Sequence, residues 1–100
     1  MSRKITPVKN KQGFYIIVMP GVAQHALFNK NKCDLCGEQT GNESDVYYES
    51  VLDSFYCERC HGLYIQTAIR YKIDEKTELK NFNKIKQQLE GVRWWNVNLF

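Results

Sequence analysis

The sequence predicts a small single domain of the α+β class, and three observations support this prediction. Residues 14–19 form a β-branched and aromatic run that ends at Pro20-Gly21, which is typical of a buried strand followed by a turn. Two later segments carry apolar residues at three- and four-residue spacing, the period of an amphipathic helix. Four cysteines follow the strand in two Cys-x2-Cys pairs. The 100 residues contain no Pro/Gly/Ser-rich linker, so we expect residues 1–100 to fold as one unit.

The segments that flank the first strand carry weaker signals. Residues 1–11 are polar and basic and contain Pro7, which predicts a loosely ordered basic arm. Residues 22–28 fit a short helix and an extended chain equally well. The strand at residues 14–19 is therefore the first element that the sequence defines.

A hairpin and two helices are predicted in the second half of the chain. Residues 46–48 and 55–56 are apolar and aromatic, and they suit two short strands joined by a turn. An amphipathic helix is expected over residues 58–73 and a second one over about residues 75–90. The second helix should bury one face, which carries Leu79, Phe82, Ile85 and Leu89.

Residues 92–100 predict a terminal strand, because apolar residues alternate with asparagines there. The strand at residues 14–19 is a candidate partner for it. Trp94 and Trp95 would face opposite ways on such a strand. The outward one is a candidate anchor for a protein partner, and core packing of each tryptophan is the alternative.

Every cysteine of the chain belongs to the two pairs, which are separated by twenty residues. Tetrahedral zinc needs four ligands with sulfur at about 2.3 Å, and two intervening residues let one tight turn present both sulfurs to one ion. The spacing therefore predicts one structural Zn²⁺ bound by Cys33, Cys36, Cys57 and Cys60. A full set of protein ligands leaves no position for water or substrate, which argues against zinc catalysis. Disulfides, a redox pair and a rubredoxin-like iron site are the alternative interpretations.

The two cysteine pairs differ in their surroundings. Gly37 follows Cys36, as a zinc knuckle requires where the backbone must reach positive φ. Cys57 and Cys60 precede the amphipathic run, so we expect them at a helix start, where backbone N–H groups stabilise thiolates. Knuckle, hairpin and then ligands at a helix start resemble the treble-clef zinc-finger superfamily.

Over about residues 33–70 the sequence is locally similar to GATA-type fingers. The likeness rests on Cys-Asp-Leu-Cys-Gly at residues 33–37 and on Phe-Tyr-Cys-Glu-Arg-Cys-His-Gly-Leu-Tyr at residues 55–64. It implies a treble-clef zinc finger over about residues 33–73, with one structural zinc. Three differences stand beside it: His61 precedes Gly62, the loop is longer, and the finger is acidic where DNA-reading members are basic.

Charge is distributed unevenly along the chain. Residues 1–32 carry six basic residues and no acid, residues 33–60 carry seven acids against Arg59, and residues 61–100 carry seven bases and four acids. Zinc with four thiolates adds further negative charge to the finger, so the loaded protein would be close to neutral and its general attraction to phosphate weak. This favours a module for protein–protein interaction, in which the acidic finger meets a basic or apolar patch of a protein partner. The alternative is a nucleic-acid-binding protein that uses the basic arm and the lysines of the second helix, which are Lys80, Lys84 and Lys86.

The sequence predicts neither an enzyme nor a membrane protein. No cysteine is left outside the metal set to act as a nucleophile, so we expect no catalysis and no small-molecule substrate. His61 has no evident acidic partner and is expected to be a solvated histidine at a helix start. No segment approaches the ~20 apolar residues of a membrane span. Paired cysteines more often bind metal in a reducing compartment, so we expect a cytoplasmic protein.

Overall fold

The computed structural model describes residues 5–90, in which four strands form one antiparallel sheet with helices on both faces. The sheet order is β1-β2-β3-β4, and each strand pairs with its neighbour in the sequence. The α+β prediction is confirmed. In chain order the elements are β1 (Thr6–Lys9), β2 (Tyr15–Pro20), α1 (Gly21–Phe28), β3 (Asp45–Glu49), β4 (Ser54–Cys57), α2 (Glu58–Thr67), a 3-10 turn (Lys72–Asp74) and α3 (Glu75–Leu89).

The two faces of the sheet bury different side chains, because successive residues of a strand point to opposite sides. One face packs against α1 and α3 and forms the main core. The other face packs against α2, where Tyr56 contacts Tyr64 and Tyr47 contacts His61. The main core consists of Ile5, Ile17, Met19, Ala23, Val46, Tyr48, Phe55, Phe82, Ile85 and Leu89.

The prediction of a loosely ordered arm over residues 1–11 is wrong for the part that the structure describes. β1 pairs with β2 in a register that sets Thr6 opposite Val18, and Ile5 is fully buried in the main core. Pro7 is compatible with this strand because β1 lies at the edge of the sheet, where a residue without an N–H group is tolerated. The lysines of this segment obscured an alternation of buried and exposed positions.

The strand predicted at residues 14–19 is confirmed as β2, with β1 on one edge and β3 on the other. β1 and β3 pair with the two edges of this strand, so its candidate pairing with residues 92–100 finds no support in the described residues. The predicted terminal strand itself, with Trp94 and Trp95, lies outside the described residues. Residues 22–28, which the sequence left open, belong to α1.

The helix predicted over residues 58–73 is too long, because α2 ends at Thr67 and Ala68 is extended, with φ −68° and ψ 134°. The apolar spacing continues through Ile69 and Ile73, but these side chains are 66% and 86% exposed and do not face a core. Beyond the helix, Arg70 points toward the protein, where it contacts Gly13 O and the Glu78 carboxylate. These contacts hold the chain in its extended path after Thr67.

The helix predicted at about residues 75–90 is confirmed as α3, but its buried face is shifted. Phe82, Ile85 and Leu89 enter the main core as expected, whereas Leu79 is 41% exposed. Glu78 takes the inner position instead, with 1% of its side chain exposed. None of the helices within residues 5–90 is long and apolar enough to cross a membrane.

The predicted hairpin is confirmed as β3 and β4, and its turn is tied to α3 by polar contacts. The Tyr48 hydroxyl donates a 2.6 Å hydrogen bond to Asp53, and Lys84 Nζ lies 3.1 Å from the same carboxylate. Partial burial opposes the ionisation of Asp53, but these two neighbours outweigh it and hold the pKa of the carboxyl below its ordinary value. Asp53 has φ +52°, a conformation that aspartate tolerates in turns.

Candidate metal centre

The four cysteines converge on one point beside the sheet. Their Sγ atoms all lie within 4.8 Å of one another, and Cys36 Sγ lies 3.9 Å from Cys57 Sγ. Sulfurs at 2.3 Å from one tetrahedral zinc would be about 3.8 Å apart, whereas a disulfide needs about 2.05 Å. All four thiols are free of disulfides. The donor set therefore fits one zinc ion.

The first pair lies on a tight turn in which a backbone N–H group points at the Cys33 sulfur. Gly37 N donates to Cys33 O at 3.0 Å, and Leu35 N donates to Cys33 Sγ at 3.4 Å. Gly37 has φ +76°, the positive value that the sequence predicted for this position. A hydrogen bond from Cys33 N to Glu38 O closes the turn at 2.9 Å.

The second pair lies where β4 passes into α2. Cys57 is the last residue of β4 and the N-cap of α2, and Cys60 lies in the first turn of that helix. This confirms the expected helix start. The N-terminus of the helix, with its positive dipole end, thus lies beside the sulfurs of this pair.

Paired hydrogen bonds hold the knuckle against β4. Asp34 N donates to Phe55 O, and Phe55 N donates to the Asp34 carboxylate, both at 2.8 Å. These bonds satisfy the outer edge of β4, and they bring Cys33 and Cys36 next to Cys57. This role of Asp34 carries no signal in the sequence, where the residue counts only as one of the acids of the finger.

A buried glutamine fixes the other side of the knuckle loop. Gln24 of α1 is fully buried, donates to Lys32 O at 3.0 Å and accepts a 2.6 Å hydrogen bond from Thr40. Gly21 packs so closely on the same loop that an added Cβ would lie 2.0 Å from Gly41 O. Sequence reasoning missed both residues, since neither carries a periodic or motif signal.

The thiol pKa values show the effect of crowding four sulfurs together. Burial disfavours ionisation of Cys33, but hydrogen bonds from backbone N–H groups outweigh it and lower the pKa of this thiol to about 7. Burial and the neighbouring cysteines raise the pKa of Cys60 to about 12. Ionisation of Cys33 is thus favoured over ionisation of Cys60. A divalent cation bound here would stabilise the thiolate form of its ligands, because a coordinating thiol gives up its proton.

His61 is not the solvated histidine that the sequence predicted. Its ring stacks on Tyr47, with centroids 3.9 Å apart and planes 3° from parallel, and its Nδ1 lies 2.5 Å from Glu49 Oε2. Glu49 is 1% exposed, and burial raises its pKa, an effect that the hydrogen bond from His61 partly offsets. No sequence motif indicates this pair, because the two residues lie on different elements. It anchors the first turn of α2, which carries Cys60, to the sheet.

The acidic surface of the finger is smaller than the sequence count suggested. Of the seven acids between residues 33 and 60, Glu49 is buried, Asp34 binds the Phe55 N–H group, and Asp53 binds Tyr48 and Lys84. Glu38, Asp45 and Glu58 line an open groove of about 410 Å³ that also contains Cys57 and Arg59. Arg59 lies 3.8 Å from Glu38 in this groove.

The fold and the cysteine cluster together define a small α+β protein with a single structural zinc site. No family model, curated protein or solved structure is significantly similar to the chain. The likeness to treble-clef and GATA-type fingers therefore rests on the cysteines and the elements that carry them.

Proposed function

We propose that this protein is a non-catalytic module for protein–protein interaction, in which one structural zinc ion fixes the shape of the binding surface. The observation that carries the proposal is the complete set of four protein sulfurs. Four thiolates fill a tetrahedral zinc, so the ion keeps no open position at which water or substrate could be activated. The free thiols also support a reducing compartment such as the cytoplasm.

We further propose that the finger is a treble clef. Three features support this: a knuckle supplies the first two ligands, the β3–β4 hairpin follows, and the N-terminus of α2 supplies the last two. The finger would then run from Cys33 to the end of α2 at Thr67. The rest of the sheet, with α1 and α3, would form the scaffold that holds it.

The groove beside Cys57 is the surface that we assign to the partner. Its acids Glu38, Asp45 and Glu58 lie next to the zinc site, and bound zinc with four thiolates adds two negative charges there. Such a surface suits a basic segment of a partner protein. Complementary charge would set the orientation and the association rate more than the affinity.

Nucleic-acid binding is the second candidate, and three lysines support it. Lys72, Lys76 and Lys80 carry no acidic partner within the described residues. Lys72 lies in the 3-10 turn, and the other two follow at four-residue spacing on α3. Lys84, however, is bound to Asp53, and residues 6–9 form β1 rather than part of a flexible arm. These two features reduce the basic surface that this function would need.

The test compares the wild-type protein with a variant in which the groove is reversed in charge. Partners captured from the native host by the zinc-loaded protein are identified and purified, and their Kd is measured for wild type, E38K/E58K and the control Glu90→Lys. We expect a protein partner whose affinity falls about tenfold in the double variant and little in the control, because Glu90 does not line the groove. Binding of single-stranded or duplex DNA or RNA at low salt, with a steep linear loss on a log–log salt plot, would instead support the second candidate.

A further inference from the structure

Three large apolar side chains protrude from the segment between α2 and α3. Ile69, Tyr71 and Ile73 are 66%, 56% and 86% exposed, and the two isoleucines are the most exposed large hydrophobic residues within residues 5–90. Single exposed apolar residues are ordinary, but three within five residues concentrate exposed apolar area in one segment. We call these three residues the apolar strip.

The segment cannot turn these side chains inward, because Arg70 holds it from the other side. Arg70 Nε donates to Gly13 O at 2.9 Å, and Arg70 Nη2 lies 2.9 Å from the buried Glu78 carboxylate. Ala68 and Tyr71 both have extended backbone angles, so neighbouring side chains alternate in direction. With Arg70 pointing in, Ile69 and Tyr71 point out.

This ion pair also makes the strip ready to bind. A segment that is already ordered loses little conformational freedom when a partner docks, which is a main cost of association. Glu75 adds a second contact to the guanidinium, with Oε1 at 3.3 Å from Arg70 Nη1. The position of the strip is thus fixed by the three contacts of the Arg70 side chain, which are with Gly13 O, Glu75 and Glu78.

The charge around the strip is positive. Lys72 lies inside it, and Lys76 and Lys80 follow on α3 about one turn apart. Glu75 and Glu78 are bound to Arg70, so Asp74 is the remaining acid between residues 68 and 80. A partner that covers the isoleucines would therefore meet three lysines at the same time.

We propose that the apolar strip docks an amphipathic segment of a partner protein, in which acidic residues flank large apolar ones. Such a segment removes the isoleucines from water and pairs with the lysines. A nucleic acid would pair with the lysines and stack a base on Tyr71, but it would leave the two most exposed residues of the strip, Ile69 and Ile73, without a stacking partner, since aliphatic side chains offer no aromatic plane.

This surface is separate from the acidic groove and does not depend on it. The ten residues of α2 span about 15 Å between the zinc ligands at its start and the strip beyond its end. The two surfaces also have opposite charge. A protein that uses both would hold two different partner segments at the two ends of one helix.

The experiment is a selection from a display library of random peptides of about sixteen residues, four turns if helical, against the zinc-loaded full-length protein. Enriched peptides are synthesised, and their Kd is measured by fluorescence anisotropy for wild type and for I69S/I73S. Leu52→Ser is the matched control, since Leu52 is 42% exposed and lies in the turn between β3 and β4. Zinc content and the urea midpoint are measured for each variant, and exposed substitutions of this kind should leave both close to the wild-type values.

We expect enriched peptides that combine acidic with large apolar residues, and an affinity that falls about tenfold in I69S/I73S but stays within about twofold in Leu52→Ser. K72E/K76E should weaken the same peptides, whereas E38K/E58K should leave them unchanged even if the groove has no partner. Enriched peptides without acids, or equal binding to I69S/I73S, would overturn the proposal. A wild-type dimer in sedimentation that I69S/I73S dissociates would also overturn it, by assigning the strip to a second copy of the chain.

Discussion

Replacing Glu78 by alanine should destabilise the protein by about 3 kcal/mol, because it removes the carboxylate at the centre of a buried network. Glu78 Oε1 lies 2.9 Å from Arg70 Nη2, and Glu78 Oε2 accepts a 2.9 Å hydrogen bond from Tyr15 N. Alanine would leave a guanidinium and a backbone N–H group without these acceptors. Breaking a buried ion pair costs roughly 3 to 5 kcal/mol, and the 20% exposure of Arg70 places the expected value at the lower end.

The measurement is equilibrium urea unfolding of the zinc-loaded protein at pH 7, followed by far-UV circular dichroism. Glu75→Ala is the matched control, because Glu75 also contacts Arg70 but is 50% exposed, and its loss should cost less than about 1 kcal/mol. A double-mutant cycle that adds Arg70→Met isolates the energy of the pair. The reasoning is refuted if Glu78→Ala costs no more than Glu75→Ala, or if the cycle gives a coupling energy near zero.

Three further predictions concern the knuckle loop, the hairpin turn and the metal. Gly21→Ala should lower the urea midpoint and reduce the free energy of unfolding by at least about 2 kcal/mol, because the added Cβ would lie 2.0 Å from Gly41 O. Gly62→Ala is the control: its Cβ meets no atom within 4 Å, so it should stabilise α2 slightly. Asp53→Asn should reduce the loss of stability as the pH falls below 3.8, the ordinary pKa of aspartate. The lowered pKa of Asp53 makes its contribution to stability fully present above that value and lost as the pH falls through the folded pKa. Identical pH profiles for variant and wild type would contradict this. A chelator should abolish hydrogen-exchange protection in the knuckle and α2, and unchanged protection there would show that zinc is not structural.

The metal site could be predicted from the sequence because its signal is local. Each pair, Cys33 with Cys36 and Cys57 with Cys60, lies within one turn, so spacing alone brings its two sulfurs together. Gly37 and the helix start after Cys57 added independent support, and both are found in the structure. Only the contact between the two pairs joins residues that are distant in the sequence. This contact could also be predicted, because one zinc ion needs four ligands and each pair supplies two.

Contacts between distant residues could not be predicted in the same way. Glu78 occupies the position that periodicity gave to Leu79, because Arg70 and the Tyr15 N–H group satisfy its charge from two other elements. In the same way, α2 ends at Thr67, six residues before the predicted end, and the extended chain that follows places Arg70 within hydrogen-bond distance of Gly13 O. A single sequence shows the cost of burying a charge but does not show the partner that offsets it.

The two clusters of buried side chains share one strand, and this decides how zinc supports the whole protein. Phe55 and Tyr56 are neighbours on β4, yet Phe55 enters the main core while Tyr56 packs with Cys33 and Cys60 at the metal centre. Loss of zinc frees the knuckle, and with it the Asp34 hydrogen bonds that cover the edge of β4. The main core does not include the cysteines, so β2 and α3 retain their own packing. We therefore expect metal loss to unfold the finger first and to weaken the pairing of β4 next. Hydrogen-exchange protection should last longest in β2 and α3. Simultaneous loss of protection in all elements would instead show that the two clusters unfold as one unit.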